Sequence, residues 1–100
     1  PAIVLAHPDW HPGVVGIVCS RLVDRFHRPT ILMQRKDGHC HGSARSIDGF
    51  NLHGAIATCA DLLDRFGGHD MAAGLAMPEP ALADFTRRFT DACRAAITPR

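Results

Sequence analysis

Short apolar runs alternate with longer amphipathic segments along this chain, and proline or glycine separates most of them. Short apolar runs are typical of buried strands, and apolar residues that repeat every three or four positions are typical of helices. The predicted strands are residues 2–6, 30–33, 39–46 and 72–77. The predicted helices are residues 12–26, residues 52–66 and a last segment that begins near residue 80. This order predicts an α/β domain with a mixed central sheet of about four to five strands, flanked by about three helices.

Each predicted helix has one apolar stripe that we expect to face the core. The predicted inward positions are Val15, Val18, Leu22 and Phe26 in the first helix, Leu52, Ile56, Cys59, Leu63 and Phe66 in the second, and Leu82, Phe85, Phe89 and Cys93 or Ile97 in the third. Two glycines, Gly67 and Gly68, follow the second helix. Glycine is common just past a helix end, so we expect the helix to stop there.

The length of 100 residues predicts a single domain, and 46% hydrophobic with 21% charged residues is ordinary globular usage. No apolar run is long enough to cross a bilayer, and the N-terminus lacks the pattern of a signal peptide, so a cytoplasmic location without membrane contact is expected. The chain starts at Pro1 inside an apolar run, which predicts a fragment of a longer protein. The net charge of only +1 is weak support for nucleic-acid binding, although the first half is the more basic one.

The cysteines and histidines offer little support for a metal site in this chain. The four cysteines are widely spaced without a Cys-x-x-Cys pair, so reduced, mostly buried thiols are expected. His39 and His41 share one face of a predicted strand and are the best candidates for a transition-metal site. No third ligand follows at a recognisable spacing, and we therefore predict that the chain binds no metal itself.

The segment Gly42-Ser43-Ala44-Arg45-Ser46 is the first candidate binding motif. Alternation along the strand puts His39, His41, Ser43 and Arg45 on one side and the small residues Cys40, Gly42, Ala44 and Ser46 on the other. A hydroxyl beside a guanidinium suits an anion, because both donate hydrogen bonds to phosphate oxygens. A surface arginine paired with an aspartate is the alternative that the pentapeptide leaves open.

The second candidate motif is Gly67-Gly68-His69, which precedes Ala72-Ala73-Gly74. The glycines permit a sharp turn, and the small residues after them permit close approach of a ligand. His69 is predicted just beyond a helix C-terminus, whose partial negative charge favours the imidazolium form as a donor to phosphate. A simple helix cap with an exposed histidine explains the same residues.

The third candidate motif is Trp10-His11-Pro12-Gly13-Val14-Val15-Gly16, at the start of the first helix. Free N–H groups at a helix N-terminus bind anions, and the small residues leave room for one. A capped helix with a tryptophan packed against a loop is the open alternative.

Together these motifs, in this order and at these spacings, resemble the DHH-associated domain of RecJ-type exonucleases in the DHH phosphoesterase superfamily. The resemblance spans nearly the whole chain and also includes Arg28-Pro29-Thr30-Ile31 and Phe50-Asn51-Leu52. It implies the substrate-binding domain of a longer enzyme that degrades single-stranded DNA from 5′ to 3′ in repair and recombination. The His39-Cys40-His41 segment departs from the family pattern.

The resemblance also implies roles for individual residues. Ser43, Arg45, Gly67, Gly68 and His69 are expected to bind strand phosphates, with secondary contacts from His11, Gly13 and Asn51. His69 would lie close to Mn²⁺ or Mg²⁺ ions held by the catalytic DHH domain of the same protein. This chain contains no Asp-His-His triplet, so we predict that it is inactive alone.

Three other interpretations remain open on the sequence. One is a structural or interaction domain with no ligand, which the near-neutral charge supports. The domain can belong to a DHH-family phosphoesterase that acts on short oligonucleotides or cyclic dinucleotides. It can also be a nucleic-acid-binding module without catalysis, like the related domain of alanyl-tRNA synthetases.

Overall fold

The computed structural model describes residues 2–96. Its strands are β1 (Ile3–His7), β2 (Thr30–Lys36), β3 (His39–Arg45), β4 (Arg65–Gly68) and β5 (Ala72–Pro78). Its helices are α1 (Pro12–Phe26), α2 (Leu52–Ala57) and α3 (Leu82–Ala96), with single 3-10 turns at Ala60–Leu62 and Glu79–Ala81. Residue 1 and residues 97–100 are outside the described part. The predicted α/β class, mixed sheet and three helices are confirmed.

The five strands form one sheet in the order β1-β2-β3-β5-β4. Strands β1 and β2 are parallel, because α1 returns the chain to the same end of the sheet, and the other neighbours are antiparallel. Strands β2 and β3 form a hairpin that turns at Asp37-Gly38, where both residues have positive φ, 53° and 78°. Such two-residue turns match the twist of the strands they join.

One side of the sheet, here called the core face, is covered by α2 and α3. Its strand residues include Met33, Cys40 and Ala44, each fully buried. From α3, Phe85 and Phe89 stack with their ring centroids 5.6 Å apart, and both are fully buried together with Cys93 as predicted. Ile97, the alternative inward position, lies outside the described residues. The small side of β3 therefore packs under helices, as its alternation predicted.

The other side of the sheet, here called the polar face, carries α1. This helix packs against β2 and β3 through a small cluster of Val15, Cys19 and Leu32. The prediction for Val18 and Phe26 was wrong, since these side chains are 38% and 49% exposed. The reason is that α1 lies over only two strands, so the buried arc of the helix is narrow.

The second predicted helix is much shorter than residues 52–66. Helix α2 ends at Ala57, and hydrogen bonds from Leu62 N to Cys59 O and from Leu63 N to Ala60 O form a 3-10 turn. The chain then continues as β4, at the edge of the sheet.

The apolar positions of that segment still pack on the core. Leu52, Ile56 and Cys59 are fully buried, and Leu63 and Phe66 pack against the same cluster. The spacing of apolar residues that predicted one long helix also fits a short helix, a turn and a strand, because a few apolar residues do not determine a single structural period.

All four cysteines are free and buried, as predicted. Burial raises the pKa of Cys19 to about 11 and that of Cys93 to about 12, so both thiols stay protonated at neutral pH. None of the helices within residues 2–96 has the length and apolar character that a membrane crossing requires.

Candidate nucleic-acid interface

Residues of three adjacent strands meet in rows on the polar face. Ser43 of β3 pairs with Gly74 of β5, which pairs with Gly67 of β4. Directly paired residues of antiparallel strands project to the same side of the sheet. The row therefore combines the Ser43 hydroxyl with two positions that have no side chain.

The glycine positions of this row are open to solvent. Gly67 and Gly74 are both exposed, and a Cβ on Gly67 would have no atom within 4 Å. On Gly74, a Cβ would meet only the Gly42 carbonyl oxygen, at 3.7 Å. Helix α1 packs over β2 and β3, and the surface of β5 and β4 beside it is accessible to a ligand.

Arg45 lies one row further along β3, opposite Ala72. Its Nη1 donates to the Ala44 carbonyl oxygen at 2.8 Å, and it makes no ion pair with a carboxylate of the described residues. The alternative of an arginine paired with an aspartate therefore finds no support in residues 2–96. A half-buried guanidinium without a carboxylate retains donors for an anion.

Helix α1 fixes the position of Arg45 through Gly16. A Cβ on Gly16 would lie 2.8 Å from Nη2 of Arg45 and 3.6 Å from the Ser43 hydroxyl oxygen. Behind Ser43, the Cys19 thiol donates to the Ser43 carbonyl oxygen at 3.3 Å. Gly16 is thus a residue of the site that the predicted set omitted, although its small size next to a ligand motif was a usable signal.

His69 lies in the connection between β4 and β5, at the same end of the sheet as Arg45. The prediction that it follows a helix C-terminus was wrong, because β4 precedes it. Its Nδ1 accepts from Met71 N at 3.3 Å, and the ring is 69% exposed. The same Nδ1 lies 3.6 Å from Asp70 Oδ1, whereas Nε2 makes no hydrogen bond within residues 2–96 and is available to a ligand.

Gly67 and Gly68 are strand residues and do not end a helix as predicted. Gly68 has φ of 140°, and a Cβ there would overlap the Ala72 carbonyl oxygen. Only glycine fits this position. It allows the chain to turn sharply and return His69 N to the Ala72 carbonyl oxygen, at 2.9 Å.

The predicted secondary residues are helix caps. His11 Nδ1 accepts from Gly13 N at 3.0 Å, and Val14 N and Val15 N both donate to the His11 carbonyl oxygen. Asn51 likewise caps α2 through Gly54 N. The first-turn amides of α1 therefore already have acceptors, although Asn51 does lie near His69, because Leu52 N donates to the Asp70 carbonyl oxygen.

The polar face does not supply a metal centre from the described residues. Within residues 2–96, no three His, Cys, Asp or Glu side chains group closely enough to hold an ion. His39 instead contacts Asp64, with Nδ1 and Oδ2 3.3 Å apart. The donors present suit anion binding.

Comparison with known proteins shows the family of this domain. Residues 1–95 match the DHHA1 domain family. A single-stranded-DNA-specific exonuclease RecJ from Bacillus subtilis is 49% identical over 92 residues, which cover 90% of this chain and 12% of that protein. The chain thus spans about an eighth of the length of this relative.

Solved structures show the same fold. RecJ from Thermus thermophilus in complex with Mg²⁺ has a TM-score of 0.86 at 38% identity, covering 98% of this chain and 15% of that one. The C-Ala domain of Aquifex aeolicus alanyl-tRNA synthetase has a TM-score of 0.77 at 13% identity, covering 92% and 89%, and this likeness concerns the fold alone. The family match and the relatives agree, and the chain belongs to the DHHA1 domain family.

Proposed function

We propose that this chain is the substrate-binding domain of a single-stranded-DNA-specific exonuclease of repair and recombination. Its partners are single-stranded DNA and a catalytic DHH domain of the same protein. The name of the Bacillus subtilis relative supports the substrate, and the Mn²⁺ and Mg²⁺ complexes of Thermus thermophilus RecJ support a divalent metal in the whole enzyme. In this proposal the catalytic DHH domain holds the ions.

The observation that carries this proposal is that the Arg45 guanidinium has no acidic partner among the described residues. The guanidinium lies on the polar face beside the Ser43 hydroxyl, hydrogen-bonded to its own main chain, with no acidic partner within residues 2–96. Phosphate is the anion that such a fork of donors binds best, and a DNA strand presents phosphates in series.

The glycines beside Arg45 support a strand ligand rather than a free ion. Gly67 and Gly74 leave the sheet surface without side chains, so that a sugar-phosphate backbone can lie directly against the main chain. His69 Nε2 then supplies a donor at the end of the row, where the phosphate nearest the catalytic domain would lie. In this proposal Gly68 keeps the His69 turn in place, and His11, Gly13 and Asn51 shape the rim.

Binding of a fluorescent 5′-phosphorylated single strand tests the proposal, by anisotropy over a salt series with duplex as competitor. We expect salt-sensitive binding that prefers the single strand and weakens by about 1 to 3 kcal/mol in Arg45→Ala and His69→Ala. Arg35→Ala is the matched control, since Arg35 is a partly exposed strand arginine on the core side, paired with Glu79 at 3.8 Å.

A length series separates the remaining interpretations. Affinity that rises with each added nucleotide supports the exonuclease domain. Affinity that stops increasing beyond two nucleotides supports a phosphoesterase of short oligonucleotides or cyclic dinucleotides. Equal binding of single strand and duplex, unaffected by Arg45→Ala, would contradict the proposal.

A further inference from the structure

A second row of the polar face carries two basic side chains that no motif included. His41 of β3 pairs with Ala76 of β5, and Ala76 pairs with Arg65 of β4. The Cα atoms of His41 and Arg65 are thus about two strand spacings, roughly 10 Å, apart. The side chain between them in this row is the methyl group of Ala76.

This row is continuous with the row of Ser43. His41 and Ser43 are two residues apart on β3, as are Arg65 and Gly67 on β4, so the rows are separated by about 7 Å. A cleft of about 230 Å³ joins them, and its lining includes His41, Ser43, Arg65 and Gly74. A ligand phosphate at Ser43 would therefore have Arg65 and His41 on one side and Arg45 on the other.

The side chains of this row are not used elsewhere in the described part of the chain. Arg65 makes no ion pair or side-chain hydrogen bond within residues 2–96, and neither does His41. The neighbouring acid Asp64 contacts His39 at 3.3 Å and does not pair with Arg65. The two histidines of β3 thus differ: His39 is engaged with an acid, and His41 faces the cleft.

We propose that Arg65 and His41 form a second phosphate-binding position, which holds the phosphate next along the strand from the one at Ser43 and Arg45. This inference rests on the proposed function and extends it to the chemistry of two consecutive phosphates. Arg65 supplies the permanent charge and His41 a shorter donor across the cleft. A domain with both positions binds a dinucleotide more tightly than a mononucleotide.

The competing explanation is that Arg65 only protects an edge. Strand β4 is at the edge of the sheet, and charged side chains on edge strands commonly prevent pairing with another chain. That explanation predicts no change in ligand affinity when Arg65 is replaced.

Nuclear magnetic resonance titrations of the isotope-labelled 100-residue chain distinguish the two explanations. The probes are thymidine 5′-monophosphate and the 5′-phosphorylated dithymidine dinucleotide, which differ by one nucleotide and therefore by one phosphate. We expect Arg65→Ala to weaken the dinucleotide about fivefold and to leave the mononucleotide within about twofold. His41→Ala should weaken the dinucleotide in the same selective way, and the spectra report directly whether each variant is folded.

Longer single strands give an independent measure through salt dependence. Loss of one phosphate contact should reduce the slope of log K against log salt by about 0.7 in Arg65→Ala. Arg35→Ala, with the same loss of charge on the other side of the sheet, should leave the slope and the dinucleotide affinity unchanged.

The outcomes separate this inference from the proposed function. If Arg45→Ala weakens both ligands and Arg65→Ala weakens neither, the second position is wrong and the first stands. Equal losses for both ligands in Arg65→Ala would also overturn it, because Arg65 would then serve the first phosphate. Wild-type protein that binds neither ligand would overturn the proposed function and this inference together.

Discussion

The two faces of the sheet differ in what covers them. On the core face, residues of β2, β3 and β5 and of α2 and α3 form one large buried cluster that includes Phe85 and Phe89. On the polar face, the buried cluster is Val15, Cys19 and Leu32, and the glycines of β4 and β5 are exposed. The contrast indicates that one face supplies most of the stability, so that the other is free to present unpaired donors.

Truncation of Phe85 should destabilise the domain more than any change on the polar face. Phe85→Ala removes a fully buried ring of the core face and should lower the free energy of unfolding by about 3 to 5 kcal/mol. Val15→Ala, which truncates the α1 cluster, should cost only about 1 to 2 kcal/mol. Urea unfolding followed by circular dichroism measures both.

If Phe85→Ala does not fold, Phe85→Leu keeps the comparison measurable with a smaller loss. Equal losses on the two faces would contradict the claim that the core face dominates.

The cysteines report how easily each face opens. Cys19 is on the buried side of α1 and Cys93 on that of α3, and since burial raises both pKa values, neither thiol reacts at neutral pH while the protein is closed. We expect Cys19 to be alkylated about tenfold faster than Cys93 at low urea, since the smaller cluster opens at lower free energy. Peptide mapping by mass spectrometry gives the two rates, and identical rates would mean that both faces open as one unit.

Gly16→Ala should separate binding from stability. Alanine favours the helix by up to about 1 kcal/mol, and the new Cβ meets the movable end of Arg45 rather than main chain, so folding should not suffer. The displaced guanidinium should weaken single-strand binding by about 1 kcal/mol.

Thermal unfolding and fluorescence anisotropy test this pair of effects. Ile17→Ala, at a 61% exposed position of the same helix, is the control, because it also favours the helix without adding an atom next to Arg45. Unchanged DNA affinity in Gly16→Ala would show that α1 does not position Arg45.

Removal of the Asp61–Arg88 ion pair on the core side should have the smallest effect on the stability of the domain. Arg88 donates twice to Asp61, at 2.9 Å each, and these hydrogen bonds hold the pKa of Asp61 below its ordinary value of 3.8. A depressed pKa in the folded state means that the contribution is complete above pH 3.8 and is lost as the pH falls through the folded value.

Asp61→Asn should therefore lower the melting temperature slightly at about pH 6, and this loss should shrink as the pH falls below 3.8. Asp84→Asn, which removes an exposed pair within α3, is the control. A loss in Asp61→Asn that persists at the lower pH would mean that packing, and not the charge, is responsible.

The sequence predicted most of the scaffold because local patterns there agreed with the tertiary structure. Helix α1 has the predicted bounds, and β1, β2, β3 and β5 lie at the four predicted strand segments. The stretch from Cys59 to Gly68 could not be predicted, since its apolar spacing fits a helix as well as a turn and an edge strand. Pairing of β4 with β5 and packing of Leu63 and Phe66 on the core decide between them.

The candidate site was predictable to the same extent. Ser43 and Arg45 followed from alternation along one strand, and the structure places them on one face as expected. Arg65 was hidden by its assignment to a helix, and the contact of Gly16 with Arg45 joins residues that are distant in the chain. The free charge of Arg45 also depends on which acids lie nearby, which no local pattern specifies.

The hydrogen bond from Arg45 to the Ala44 carbonyl oxygen affects the timing of recognition. Together with the contact at Gly16, it orders the arginine while the domain folds, before any ligand arrives. Immobilising a long side chain costs about 0.5 to 1.5 kcal/mol of conformational entropy. At Arg45 this cost is part of the free energy of folding and does not reduce the free energy of binding. Arg65 makes no side-chain hydrogen bond or ion pair within residues 2–96, so the same entropy cost would fall on binding there. Under the proposed function, the Arg45 position would therefore be ordered before the strand binds and the Arg65 position would adapt to it.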